Sequence, residues 1–328
     1  MRKFLFILLV IILLPNLSNA IEYTSVTLKK SDMEILLFPP DKDNGYYRAS
    51  RFDWGSILGQ IKYKGKTFLQ EWKGYSGRPP KGDHDPLVPN TGTGLSEEFT
   101  VPQGYDEAKP GDSFVKIGVG VLLKDDDSKY SFAKPYKILD NGDWKVDKKK
   151  NRIVLRHRLQ SEIGYGYILK REYIINGNNL IVRHELKNIG EKKIVTETYS
   201  HNFMQLDYSN IGPDYSLTFL KNDIDISKHK WTTVKRISLN KNVINVKSEI
   251  NDFIPCFGDL DVLSGYGDFR LHSKKTGISV EMSLDKKVSS FCVWFWQRAF
   301  CAEPRVMIDI EPGKKASWEY VYTFNVDL

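Results

Sequence analysis

Arg152-Ile153-Val154-Leu155-Arg156-His157-Arg158-Leu159-Gln160 alternates with a period of two, setting Ile153, Leu155 and Leu159 against Arg152, Arg156 and Arg158. Such alternation is the mark of a β-strand with one face turned to a core. A second extended run, Tyr167 to Ile175, follows. Asn176-Gly177-Asn178-Asn179 then reads as a tight turn into Leu180 to Leu186, because Asn and Gly tolerate the backbone angles a hairpin turn demands. After Lys187-Asn188-Ile189-Gly190 the chain extends again from Lys192 to Phe203. These are consecutive antiparallel hairpins.

The pattern continues outward in both directions. Tyr23 to Lys29, Met33 to Phe38, Ile57 to Lys64, Phe114 to Leu123, Tyr215 to Leu220, Phe269 to His272, Ile278 to Leu284, Ser289 to Trp296, Arg305 to Ile310 and Ala316 to Phe324 all read as extended. No window carries the stripe of a long amphipathic helix; β-branched and aromatic residues occupy those positions instead. About fifteen strands cannot lie in one open sheet without curling. The expected fold is therefore all-β, a large antiparallel β-sandwich. Trp72 to Lys109, rich in Gly, Pro, Asp and Thr, breaks the alternation and reads as a long binding loop. Ile117-Gly118-Val119-Gly120 reads as a strand whose glycines allow close packing.

Residues 1–20 have the three parts of a secretory signal: Arg2 and Lys3, an apolar run from Phe4 to Leu14, and small Ser18 and Ala20 before a cut. The apolar run is well short of the ~20 residues a membrane-spanning helix needs. The expectation is an exported protein, periplasmic or extracellular, with one domain over residues 21–328 and no membrane association once the signal is removed. The chain carries 48 Lys and Arg against 41 Asp and Glu, a net +7. Arg2 and Lys3 account for two of those charges, and the rest are interspersed. Without a basic stripe or a recognisable module, nucleic acid is not an expected partner.

Three cysteines, Cys256, Cys292 and Cys301, leave at least one thiol over. Cys292 and Cys301 stand in apolar surroundings, where they serve as small core residues or pair with each other. Among the six histidines, His157 and His184 are flanked by charged neighbours and read as outward-facing hairpin residues. His229 lies in a lysine-rich loop and His272 beside a turn. His201 shares a strand face with Tyr199 and Phe203. Glu303, among Phe300, Cys301 and Ala302, is a carboxylate in apolar company, costly to bury unless paired or working. Asp83-His84-Asp85 resembles part of an ion site but lacks accompanying ligand spacing. No metal and no cofactor is expected.

Several of these elements, in order, resemble the galactose mutarotase-like superfamily, the aldose 1-epimerases. Arg51-Phe52-Asp53-Trp54-Gly55-Ser56-Ile57-Leu58 with Ile61-Lys62-Tyr63-Lys64-Gly65-Lys66 is similar to its early hairpin, and Glu172-Tyr173 through Lys187-Asn188-Ile189-Gly190 to its long central one. Tyr199-Ser200-His201-Asn202-Phe203 falls where the family has its catalytic histidine. Cys301-Ala302-Glu303-Pro304 resembles the element carrying the catalytic glutamate, and Ile310-Glu311-Pro312-Gly313 with Trp318 the closing hairpin. The resemblance implies a large antiparallel supersandwich and a cofactor-free enzyme that interconverts the anomers of a monosaccharide or an oligosaccharide end.

In that reading Glu303 is the base and His201 the acid, on opposite sides of the sugar ring. Trp296, with Trp294 on the same strand face, supplies an apolar platform, and Arg51, His84 and Glu98 contact hydroxyls. The chain departs from the pattern where the family has a substrate-binding aspartate: Tyr266 stands there, with Asp268 two residues away. Two other readings use the same scaffold. One is a carbohydrate-binding protein without catalysis. The other is a polysaccharide lyase or hydrolase, in which Asp53, Glu98 or Asp268 would face Glu303.

Overall fold

The computed structural model describes residues 23–69, 92–221, 230–250, 256–260 and 265–327. The proposed signal, the Asp83-His84-Asp85 cluster and His229 lie outside the described residues. Among the described residues, 23 strands run in chain order. The first five are β1 (Val26–Lys30), β2 (Met33–Leu37), β3 (Leu58–Tyr63), β4 (Lys66–Leu69) and β5 (Leu95–Phe99). Next come β6 (Ser113–Lys116), β7 (Gly120–Leu123) and β8 (Ile138–Asp140), then β9 (Asp143–Lys149), β10 (Arg152–Gln160), β11 (Gly166–Asn176), β12 (Asn179–Asn188) and β13 (Ile194–Asn202). The remainder are β14 (Tyr215–Phe219), β15 (Lys230–Trp231), β16 (Ile237–Asn240), β17 (Val243–Val246), β18 (Cys256–Leu260), β19 (Phe269–Ser273), β20 (Ile278–Leu284), β21 (Ser290–Trp296), β22 (Ala299–Ile310) and β23 (Lys315–Val326).

Two ten-stranded antiparallel sheets hold most of them. The first runs β1-β2-β3-β5-β13-β22-β21-β18-β15 with β4 beside β3, and the second β16-β17-β14-β19-β20-β23-β12-β11-β10-β9. Strands β6, β7 and β8 form a small third sheet. The fold is the expected all-β sandwich, and the opening hairpins pair as read, Arg152↔Ile174 through Gln160↔Gly166. No helix among the described residues is long and apolar enough to cross a membrane.

Alternation explains why the two large sheets close on each other. One face of each contributes Ile35, Phe68, Phe99, Phe291 and Ile308, or Leu155, Tyr173, Val182, Phe219 and Phe324, to a single buried apolar cluster. Rings meet across it: Phe68 and Phe324 are 4.8 Å apart, Phe219 and Phe291 4.9 Å. A second cluster, with Phe52, Trp54, Tyr105, Phe114, Phe203 and Cys301, covers part of the opposite face of the first sheet.

Three expectations are corrected. Phe114 to Leu123 is not one strand but the β6–β7 hairpin, because Gly118 and Gly120 take φ of +79° and +151°. A Cβ on Gly118 would stand 2.3 Å from Asp53 Cγ, so the turn packs where only hydrogen fits. Leu95–Phe99, expected within a long loop, is a central strand buried on both faces. Its polar run Ser96-Glu97-Glu98 hides the alternation because those carboxylates are buried in ion pairs.

The third concerns His157 and His184, both buried rather than outward. His184 Nε2 lies 2.9 Å from Glu97 Oε1, and its ring stacks on Trp318 at 4.7 Å. Arg171 joins that cluster, donating from one Nη2 to Asp53 Oδ2 and Glu97 Oε2, each at 2.8 Å. Asp53 in turn accepts from Gly55 N–H and caps the short 3-10 turn Trp54–Ser56. Residues from β5, β11 and β12 thus tie the two sheets through a buried ionic network.

His157 belongs to a separate chain. Gly118 N–H donates to Tyr167 Oη, whose hydroxyl is 3.1 Å from His157 Nδ1, and His157 Nε2 is 2.8 Å from the Asn141 carbonyl. A carbonyl only accepts, so the proton sits on Nε2 and Nδ1 accepts from Tyr167. Trp144 stacks on the imidazole at 4.0 Å. Burial, against the opposing Asn141 bond, pushes the His157 pKa down to about 4.

Two stability outcomes follow from these buried groups. Arg171→Met strands two carboxylates in the core and is expected to cost about 3–5 kcal/mol in urea unfolding; a loss under about 1 kcal/mol would mean that water reaches them. A folded-state His157 pKa below the unfolded value means its contribution is full above about pH 6.5 and fades as pH falls toward 4. Wild type should therefore lose about 3 kcal/mol more than His157→Gln between those limits, and parallel pH profiles for the two proteins would contradict this.

Candidate active site

The ladder between β13 and β22 runs from Ile194↔Ile310 to Thr198↔Val306 and then stops. It resumes in the same register at Met204↔Phe300, where the two residues exchange both backbone bonds. The interruption has a cause in the sequence. Phe300 and Ala302 turn their backbone polar groups toward β13, while the Arg305 carbonyl accepts from Ser289 on the β21 side. Pro304, next in the series facing β13, has no N–H to give. Asn202 spans the gap with its side chain, donating from Nδ2 to the Ala302 carbonyl at 2.6 Å and accepting from Tyr322 Oη at 3.0 Å.

Across that gap the register sets His201 opposite Glu303. Their side chains share the face turned away from the sandwich core, and His201 Nδ1 stands 3.2 Å from Glu303 Oε1. Phe203 stacks on the imidazole at 4.0 Å, with Phe52 and Trp294 edge-on at 5.8 Å. These rings fix the histidine's plane. Both residues form the floor of a cleft of about 740 Å³, walled by Arg51, Phe52, Glu98, Tyr199, Trp294 and Arg305 and covered by Tyr130 and Phe132 from the β7–β8 connection.

The two cleft carboxylates have opposite electrostatics. Glu98 accepts from Arg51 Nε at 2.9 Å and Tyr199 Oη at 2.7 Å, and Lys116 Nζ lies 3.2 Å away. Burial alone would raise its pKa, but Lys116 and Arg51 hold it down to about 2. Arg51 is held in turn between Phe52 and Phe132, whose ring centres are 4.5 and 4.2 Å from Cζ. Glu303 has no such set of donors. Its Oε1 is buried and accepts no hydrogen bond, and burial, outweighing the nearby Arg305 and Arg51, pushes its pKa up to about 8.

The structure brings His201, Glu303, Arg51 and Glu98 together in this one cleft. It does not set His201 and Glu303 on opposite sides of a ligand; adjacent strands hold them side by side. Trp296 is not among the cleft's lining residues. It sits one pleat beyond Trp294, at the hairpin end where it pairs with Ala299, and packs on the apolar clusters. His84 lies outside the described residues. Asp53 is in the Arg171 network and Asp268 pairs with Lys221 at 2.9 Å, so neither faces Glu303. Cys292 and Cys301 are both buried on the cleft side of β21 and β22, and neither is in a disulfide.

Tyr199, Arg305 and Lys116 were not read from the sequence as site residues. The first two stand at spacing two from His201 and Glu303, a signal available in the strand pattern. Lys116 gave none, because its place depends on the β6–β7 turn. Cys301, also at spacing two from Glu303, brings its sulfur together with the other two donors: one donor atom from each of His201, Cys301 and Glu303 lies within 4.8 Å of the others.

The chain matches no protein-family model and no curated protein sequence. Solved structures do resemble it. Slr1438 from Synechocystis sp. PCC 6803 superposes with a TM-score of 0.57 at 12% identity, over 93% of this chain and 97% of that one. A putative aldose 1-epimerase from Escherichia coli K12 gives 0.55 at 11%, over 92% and 99%. A galactose mutarotase related enzyme from Lactobacillus acidophilus gives 0.54 at 12%, over 92% and 97%. With its two ten-stranded antiparallel sheets and a likeness that runs the length of both chains, the protein has the galactose mutarotase-like fold.

Proposed function

We propose that this protein is an exported mutarotase that interconverts the anomers of a free aldose or an oligosaccharide's reducing end, with His201 and Glu303 as its acid–base pair. The observation that carries this reading is their 3.2 Å approach on the floor of the cleft. A cyclic aldose presents its anomeric hydroxyl and its ring oxygen on the same carbon. Two proton carriers side by side therefore reach both.

In the forward step Glu303 takes the proton of the anomeric hydroxyl while His201 gives one to the ring oxygen. The bond from the anomeric carbon to the ring oxygen breaks, the hydroxyl oxygen becomes the aldehyde carbonyl, and the freed ring oxygen becomes a hydroxyl. Rotation of the aldehyde and reversal of both transfers close the ring on the other face. A carboxyl poised at about 8 gives and takes a proton near neutrality at small cost.

Trp294, Phe52 and Phe132 offer apolar surface to the sugar's C–H face. Glu98, already engaged by three donors, serves chiefly to hold Arg51 at the cleft wall. A glycosidase needs a second carboxylate at a set distance from the first, free to act as base or nucleophile. Asp53 and Asp268 lie elsewhere, and Glu98 is locked in its ion pairs, which favours the mutarotase over the hydrolase.

The test is polarimetry, or proton NMR, of freshly dissolved aldoses in the presence of EDTA with wild type, His201→Ala and Glu303→Gln. Wild type is expected to speed anomerisation of at least one sugar, and each substitution to slow it by about 10²–10⁴-fold. Sugar binding without any acceleration would replace this reading with that of a carbohydrate-binding protein.

A further inference from the structure

His201, Cys301 and Glu303 offer one imidazole nitrogen, one sulfur and one carboxylate oxygen, all within 4.8 Å of one another. Bonds of roughly 2.0–2.3 Å at the tetrahedral angle set ligand atoms roughly 3.3–3.8 Å apart, so the three donors need to move by about an ångström or less. The Nδ1–Oε1 separation, 3.2 Å, already sits at the edge of that range. We propose that these three residues form an open binding site for one divalent cation of the zinc class, and that the bound cation silences the acid–base pair.

Four features of the structure support the site. Where Pro304 interrupts the ladder the register still sets His201 directly opposite Glu303 on adjacent strands, so side-chain rotation alone brings both to one ion. Glu303 Oε1 is buried and accepts no hydrogen bond, an acceptor for which a cation supplies the missing partner. The Phe203, Phe52 and Trp294 rings hold the imidazole as a rigid ligand. Cys301 is fully buried beneath them and is not in a disulfide.

Donor chemistry selects the ion. A thiolate with an imidazole and a carboxylate suits zinc, cobalt or nickel, and it disfavours magnesium and calcium, which take oxygen ligands. As the metal binds, the Cys301 thiol and the Glu303 carboxyl each release their proton to solvent and coordinate as thiolate and carboxylate. One thiolate and one carboxylate then balance the dication, so the buried group carries no net charge. His201 and Glu303 line the cleft, so the fourth position faces it, where water or a sugar oxygen completes the shell. With lone pairs of His201 and Glu303 committed to the metal, neither exchanges protons.

The experiment is titration of the EDTA-treated, dialysed full-length protein with Co²⁺ alone, followed by displacement with Zn²⁺. The expected result is one Co²⁺ per chain, with the visible bands of a tetrahedral ion and a near-ultraviolet thiolate-to-cobalt band. Cys301→Ser is expected to lose the near-ultraviolet band and to bind at least about tenfold more weakly; Cys292→Ser, a neighbouring thiol outside the donor set, keeps both. Zn²⁺ is expected to raise the Tm of wild type and of Cys292→Ser, but not of Cys301→Ser. Should Cys301→Ser fail to fold, His201→Gln replaces it, with loss of tetrahedral binding expected. Wild type without a thiolate band, a band that survives in Cys301→Ser, or one that depends on Cys292 instead would each overturn the site. The site shares residues with the proposed mutarotase but does not rest on its turnover: failure to anomerise sugars in EDTA sinks the enzyme reading alone, and failure to bind Co²⁺ sinks the metal site alone.

Discussion

A single missing backbone donor organises the cleft. Pro304 faces β13 from within β22, and where its N–H would have continued the ladder the regular pairing stops, to return in the same register at Met204↔Phe300. A ladder that simply ended there would leave both strands free to splay. Asn202 prevents this by bridging to the Ala302 carbonyl while Tyr322, reaching from the second sheet, holds its amide oxygen. The register is kept although the bonds are not, and register alone brings His201 opposite Glu303. The pair is thus an outcome of strand pairing rather than of a loop, which gives it the rigidity that proton transfer between fixed partners requires.

The buried charges of the molecule are partitioned by the pleat of one strand. Glu97 and Glu98 are neighbours on β5, so their side chains point to opposite faces. Glu97 goes inward to Arg171 and His184 and ties the sheets together; Glu98 goes outward to Arg51, Lys116 and Tyr199 and builds the cleft wall. Both are held ionised, near 2, by the cations around them. Glu303 is the carboxylate left without close cationic ligands, and its raised pKa is the consequence. The same poverty of partners that suits it to exchange a proton suits it to accept a metal ion, so one electrostatic situation underlies both chemistries proposed for the site.

Much of the fold was legible because hairpins with Asn and Gly turns announce both strands and their register; β10 and β20 fall on the residues that alternation marks out. His201 and Glu303 were legible through the order of short motifs and their apolar neighbours. The errors share a cause. His157 and His184 are polar residues at buried positions that a reading which sends polar side chains outward misplaces, and the polar run Glu97-Glu98 reads as loop where the chain forms a buried strand. In β10 the period itself was the better guide, since His157 falls in step with Leu155 and Leu159. For β5 no such guide existed, because its ion pairs draw on Arg171 and Lys116, distant in sequence.

The sequence by itself determined that the chain forms antiparallel sheets, which residues alternate to a core, and that a histidine and a glutamate end up in apolar company, since all three depend on local period and composition. Tertiary structure alone decided that His201 and Glu303 stand side by side and not across a ligand, that Trp294 rather than Trp296 faces the cleft, and that Cys301 joins them. The first of those relations is set by the pairing of β13 with β22, strands about a hundred residues apart whose register is fixed by the closing of the whole sandwich, and the others by that pairing together with the β21–β22 hairpin that lies beside it.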